Sequence, residues 1–295
     1  MDAAMVAQVR RFNRTVTQRV GALEDGFLGR GRPLAAARLL WEIGPDGRDV
    51  RSLRAELGLD SGYLSRLLRS LEADSLITVE ADAADRRVRV ARLTPAGAAE
   101  REALDRRSDE VAAALLSPLP APQRHRLAAA MADVERLLRA GMIEIAATDP
   151  AHPDARRCLR AYFAELDRRF DTGFHAERSN PAPDVGLRPP AGLLLVARLG
   201  AEPVGCGALR SGADGVWEIK RMWVSDVVRG TGLGRRLLGE LETHAAAAGA
   251  RILRLETNQT LVEAIALYRS AGYAEVPAFN DETYAHHWFE KRLAR

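Results

Sequence analysis

The run Arg229-Gly230-Thr231-Gly232-Leu233-Gly234, with Arg235 and Arg236 behind it, carries the most specific chemical spacing in the chain. The apolar stretch Val216–Val224 before it reads as a strand. After it, Leu233, Leu237, Leu238, Leu241 and Ala245 recur at helical spacing. A strand therefore ends, glycines turn the chain, and a helix opens. Glycine accepts positive φ and lets backbone approach a ligand closely. The first turn of a helix presents unpaired N–H groups and a partial positive charge, and the arginines add full charges. Such an assembly holds a pyrophosphate. It is not the dinucleotide fingerprint, because Arg235 stands where the third glycine belongs, and no Lys follows as a nucleotide-triphosphatase loop requires.

The same run, with Leu253-Arg254-Leu255-Glu256-Thr257-Asn258 and Glu263–Tyr273 downstream, resembles the GNAT superfamily of N-acetyltransferases in order and spacing. The resemblance implies acetyl-CoA as co-substrate and a primary amine as acceptor. It places the pyrophosphate on Arg229, Gly230, Thr231, Gly232, Leu233, Gly234 and Arg235. The pantetheine arm would lie along the backbone of Met222, Trp223 and Val224 and against Asn258. It casts Glu218 as general base, often through water, and Tyr268 as general acid beside the sulfur. The alternatives are a Glu218 paired with Arg221 or Lys220, and a Tyr268 that only fills the core. Glu165, Arg169 and Phe174 fall where the family lines its acceptor pocket, and the sequence assigns them no role. His244, His286 and His287 show no ligand spacing, and no metal is expected.

The first half of the chain has a different pattern. Val6, Val9, Phe12, Val16, Val20 and Leu23 mark an amphipathic helix, and Pro33 is expected in the first turn of a second one. Residues 49–57 and 61–72 are two short helices separated by Gly58-Leu59-Asp60, the helix-turn-helix pattern. The second buries Leu64, Leu67, Leu68 and Leu71 and leaves Ser61, Ser65, Arg66 and Arg69 on its other face. Residues 76–80 and 88–93 pair as a hairpin with a polar tip. Thr94 and Pro95 then cap and start a long helix.

These elements, through Leu64–Glu72, Asp85-Arg86-Arg87 and Leu93-Thr94-Pro95-Ala96-Gly97, resemble the MarR family of winged-helix regulators. That implies DNA as partner, with Ser61, Ser65, Arg66 and Arg69 in the major groove and Arg87 in the minor groove, oriented by Asp85. The family often has a second basic residue where Ala84 stands. It also implies a homodimer through the first and last helices of the domain, the last carrying Leu127, Met131, Val134 and Leu138.

With 295 residues, 47% hydrophobic and 28% charged, the chain has the composition of a globular protein of about two domains. No apolar run reaches the ~18 residues of a membrane span. Cys158 and Cys206 form no metal or redox motif, and a cytoplasmic location with free thiols is expected. The net charge of +3 resides in residues 1–141. Asn180–Pro190 is a proline-rich loop. The expected architecture is a mostly α winged helix-turn-helix domain, residues 1–141, then an α/β GNAT acyl-CoA N-acyltransferase fold with a mixed sheet, residues 142–295. Two rival readings stay open: a regulator whose second domain senses CoA or a metabolite without catalysis, and an enzyme whose winged helix no longer meets DNA.

A protein of this kind should select palindromic fragments from genomic DNA, and its affinity should fall steeply with salt. Arg69→Ala should cost ~1–3 kcal/mol if it contacts a base. Gel-shift titration measures both, and absence of any enriched fragment would remove the DNA-binding expectation.

Overall fold

The computed structural model describes residues 2–21, 27–82, 85–175, 178–179 and 184–293. Leu23, Ala84 and residues 180–183 of the proline-rich stretch lie outside them. Contacts divide the chain into two units, Met1–Ala130 and Met131–Arg295. The division falls inside a helix whose end is tied to the second unit: Arg236 donates to the Ala140 and Ile143 carbonyls at 2.9 and 2.8 Å.

The first unit holds α1 (Ala3–Arg19), α2 (Leu34–Ile43), β1 (Arg48–Asp49), α3 (Val50–Leu57), α4 (Ser61–Ala73), β2 (Ile77–Ala81), β3 (Arg89–Leu93) and α5 (Pro95–Leu116), and shares α6 (Ala121–Gly141) with the second. Each boundary has a local cause. The Asp49 side chain accepts from Ser52 N at 2.9 Å and starts α3. Gly58, at φ 61°, ends it in the left-handed region. Asp60 accepts from Tyr63 N at 2.8 Å and starts α4. Pro33 is the cap of α2 and stands outside its first turn. The helices close over Leu39, Leu40, Ile43, Leu53, Leu64, Leu71 and Leu104. The hairpin β2–β3 forms as expected. The sequence reading missed β1, whose Arg48 and Asp49 pair with Ala91 and Val90 of β3.

Thr94-Pro95-Ala96-Gly97 has a packing reason. The Leu76 carbonyl accepts from Thr94 N at 3.0 Å. Thr94 Oγ1 accepts from Gly97 N at 3.0 Å. A Cβ on Gly97 would lie 1.9 Å from the Leu76 oxygen, so only glycine lets α5 start against β2.

The second unit is one seven-stranded sheet, order β4-β5-β6-β7-β8-β10-β9. Its strands are β4 (Ile143–Ala147), β5 (Gly192–Leu199), β6 (Glu202–Ser211), β7 (Val216–Val224), β8 (Ile252–Thr257), β9 (Ala274–Val276) and β10 (His287–Arg292). Every pairing is antiparallel except β7 with β8. Helix α7 (Pro153–Arg169) packs through Ala155, Cys158 and Leu159 on Leu194, Val196, Cys206 and Ala208. Helices α8 (Leu233–Ala247) and α9 (Val262–Ser270) pack through Leu237, Leu238, Leu241, Ile265 and Tyr268 on Leu209, Ile219, Leu253 and Leu255. The sequence reading missed the short β9. Among the described residues no helix is long and apolar enough to cross a membrane.

Gly97→Ala should destabilise the first unit by more than ~3 kcal/mol, since backbone must move to admit the methyl. Thermal denaturation followed by circular dichroism should show that unit melting earlier. An unchanged melting profile would contradict the packing described.

Candidate functional site

Strands β7 and β8 share a short parallel ladder, Val216, Trp217 and Glu218 against Ile252, Leu253 and Arg254. Beyond it they part. The cause lies in β7. Arg221 adopts φ 56°, the left-handed region that a non-glycine residue seldom enters. The register with β6 shifts there: Ala208 faces Lys220, but Cys206 faces Trp223. Arg221 and Met222 together stand opposite Gly207, a bulge that bends the strand. A Cβ on Gly207 would meet Met222 Sδ at 2.7 Å. Cys206 Sγ donates to the Arg221 carbonyl at 3.3 Å, and the Arg221 guanidinium lies 4.8 Å from the Phe163 ring centre.

The glycine loop closes one end of the opening. Gly230 and Gly232 have φ of 76° and 86°, and Gly232 is the residue before α8. A Cβ on Gly232 would meet nothing within 4 Å, so the space above the loop is open. The first-turn N–H groups of α8 have no helical partner. Thr231 Oγ1 donates to the Val228 carbonyl at 2.7 Å, and Leu233 is buried in the core. Gly234 faces α9, where a Cβ would sit at van der Waals distance, 3.4 Å, from Leu267 Cδ2. The cations divide. Arg235 is held by the Ser270 side chain and borders the opening. Arg229 is a strut, paired with Glu165 and with Asp226 (2.5 Å) and donating to the Val224 carbonyl at 3.2 Å. Arg236 serves the end of α6 and not the loop. The sequence reading missed Arg136 of α6, whose Nη1 would lie 3.1 Å from a Cβ on Gly230. These groups fit a pyrophosphate: open backbone donors, a left-handed turn and nearby guanidinium groups.

Two cavities of about 480 and about 350 Å3 share Tyr162, Leu166, Met222, Leu261, Ala264 and Tyr268 in their walls, and so form two ends of one cleft. Trp223, Val224, Gly230, Gly232, Leu233, Gly234 and Arg235 border the larger end; Asn258, Glu256 and Lys220 border the smaller. Tyr268 borders both. It is buried, and burial holds its phenol well above the ordinary value, with Tyr162 and Glu256 adding to the shift. It stays protonated. Asn258 is committed to its own loop: its amide donates to the Tyr284 carbonyl at 2.8 Å and accepts from Thr260 N at 2.9 Å.

Glu218 is not brought to the cleft. As the last residue of the β7–β8 ladder, it sits where the strands are still together. It accepts from Arg210 at 2.5 Å and lies 3.5 Å from Lys220 Nζ, so the pairing alternative holds for Lys220 and adds Arg210. Among the carboxylates that border the cleft is Glu256, two strand positions past the ladder, which the sequence reading did not single out as a base. Its side chain is 8% exposed and paired with Lys220, and its buried Oε2 has no hydrogen-bond partner. The signal was an acid in an apolar strand, two residues before Asn258.

In the first unit, Ser61, Ser65, Arg66 and Arg69 all lie exposed on α4, opposite its buried leucines. The Arg87 side chain is 92% exposed, 3.7 Å from Asp85, whose carboxylate accepts from Arg87 N at 3.0 Å. Among the described residues no group of His, Cys, Asp and Glu is arranged to hold a metal.

Comparison with known proteins gives two family matches. Residues 155–273 match the acetyltransferase (GNAT) family and residues 30–88 the MarR family. The IAA acetyltransferase of Azospirillum brasilense is 41% identical over 112 residues, which is 38% of this chain and 73% of that one. An uncharacterized N-acetyltransferase of Schizosaccharomyces pombe is 36% identical over 124 residues, 41% of this chain and 74% of that one. A solved GNAT-family acetyltransferase from Staphylococcus aureus aligns with 52% of this chain and 99% of its own, at 15% identity and a TM-score of 0.44.

Gly232→Val would place a branched side chain at φ 86°, a strained position whatever space surrounds it, at a cost of about 1–3 kcal/mol. Calorimetric titration with CoA should show affinity at least ~10-fold weaker than in the unsubstituted protein. Equal affinity in a folded variant would take the loop out of the binding site.

Proposed function

Since the chain belongs to the GNAT acetyltransferase family and carries a MarR-family segment ahead of that domain, we propose that it transfers acetyl from acetyl-CoA to a primary amine and binds DNA as a homodimer. The supporting observation is the meeting, in one cleft, of an unpartnered buried carboxylate oxygen on Glu256 and the protonated phenol of Tyr268. Transfer forms an N–C bond and breaks a C–S bond. The amine nitrogen loses one proton and the departing sulfur gains one. Glu256 takes the first, and Tyr268 supplies the second.

The chain's other groups position these two. The loop from Arg229 to Arg235, with Arg136, holds the pyrophosphate. The free edge of β7 at Met222–Val224 lines the arm, and Asn258 fixes the turn after β8. Lys220 lies between Glu218 and Glu256, so Glu218 sets the position of Lys220 and acts on the base at one remove. The general-base role read for Glu218 in the sequence passes, in this proposal, to Glu256.

The working division is taken as residues 1–141 for DNA and 142–295 for transfer. The exposed face of α4 carries Ser61, Ser65, Arg66 and Arg69 to the major groove, and Arg87 extends the wing. A second copy accounts for α1, which has no buried residue and exposes Met5, Val6, Val9 and Phe12. It also covers Met131, Leu137 and Leu138 of α6, exposed likewise.

Release of CoA from acetyl-CoA, followed with a panel of primary amines, tests the transfer. Glu256→Gln should lower kcat by about 10²–10⁴-fold, the usual share of a general base. Glu218→Gln should lower it by less than ~10-fold. The opposite ranking would return the role to Glu218, and no CoA release with any amine would favour the sensor reading.

A further inference from the structure

The acceptor end of the cleft is walled by aromatic rings from separate segments. Phe163 and Phe174 stack at 5.6 Å between centres, Phe174 meets Tyr284 at 5.0 Å, and Tyr162 meets Phe163 at 5.2 Å. Phe170 completes the wall, 5.5 Å from Tyr284. The rings are pinned through backbone: Phe174 N donates to Asp167 at 3.0 Å, and His175 N donates to the Tyr284 hydroxyl at 3.0 Å. This wall is not sealed core. It borders the cavity of about 350 Å3 that also contains Glu256 and Tyr268.

Glu256 and Glu282 border the cavity, together with Asp184, which Arg156 pairs at 3.1 Å, against Lys220 and Arg221. Lys220 is already flanked by Glu256 and Glu218, and Arg221 lies over the Phe163 ring. Ring faces attract cations and repel anions. An acceptor carboxylate would therefore meet carboxylates and ring faces, while an ammonium group would be drawn toward Glu256 Oε2. The volume lies at the small end of the ~300–1,000 Å3 common for ligand pockets.

We propose that the acceptor is a small arylalkylamine without a carboxylate: a primary amine joined by a short chain to one aromatic ring. The amine reaches Glu256 and the ring lies against Phe163, Phe174 and Tyr284. This rests on the acetyl-transfer reading and narrows it to one class of substrate.

The experiment compares kcat/KM for 2-phenylethylamine, its saturated analogue 2-cyclohexylethylamine, butylamine, phenylalanine and a lysine-containing peptide, using the full chain and acetyl-CoA. Phenylethylamine should exceed the cyclohexyl compound roughly 3–10-fold, the range expected of ring–ring contact. It should exceed butylamine, phenylalanine and the peptide by more than ~10-fold. Phe174→Leu, which keeps an apolar side chain but removes a ring, should bring the phenyl-to-cyclohexyl ratio to within ~2-fold. Turnover of butylamine, phenylalanine or the peptide equal to that of phenylethylamine overturns the assignment and leaves acetyl transfer standing. Failure of every amine to release CoA overturns the transfer reading and this proposal with it.

Discussion

The second unit depends on the parting of β7 from β8. A parallel pair gains a backbone hydrogen bond at each step, so opening one early gives up several. The bulge at Arg221 and Met222 imposes that opening. Holding a non-glycine residue at φ 56° costs of order 1–3 kcal/mol and persists only where the surroundings over-determine it. Here they do. The Cys206 thiol donates to its carbonyl, Phe163 carries its guanidinium, and the Met222 thioether lies against Gly207. The carboxylate, the phenol and the glycine loop face one space because of it.

Charge in that space is arranged in a row. Glu218, Lys220 and Glu256 alternate in sign across the last paired rung and the first open one. Burying such groups costs several kcal/mol each unless they are paired, and each of the three has a partner of opposite charge. What remains is one oxygen, Glu256 Oε2, buried and without a donor. Orphaned buried acceptors are uncommon in proteins, and this one belongs to a residue that borders the cleft. Glu165 plays the complementary role nearer the loop. It accepts from Trp223 Nε1 at 3.0 Å and pairs with Arg229 and Arg169, tying α7 to the end of β7 and the turn that follows.

The first unit solves a different problem. It is small, and a core of leucines from four helices and a hairpin holds it. Its helix ends are fixed by Asp49, Asp60 and Thr94, and the approach of α5 to Leu76 by Gly97. With the hydrophobic side of α4 committed to the core, its serines and arginines have only the outward face.

Much of this was legible in the sequence, because the signals were local. Apolar spacing marked α4 and α8. Thr94-Pro95 marked the start of α5, and a glycine run between strand and helix marked the turn into α8. Each depends on residues within a few positions of one another. Which of two acids borders the cleft was not legible that way. Glu218 and Glu256 lie on neighbouring strands, both among apolar residues, and neither spacing nor composition separates them. Tertiary structure separates them through the place where the ladder stops: Arg254 still faces Glu218, while Glu256 lies past the split. The same holds for the cations. Arg229, Arg235 and Arg236 look alike in the chain, but Glu165, Ser270 and the end of α6 claim them differently. Local pattern determines which elements form and where the glycines turn. Which charged side chain faces open space is decided by the partners that burial brings to it, and those come from distant positions in the chain.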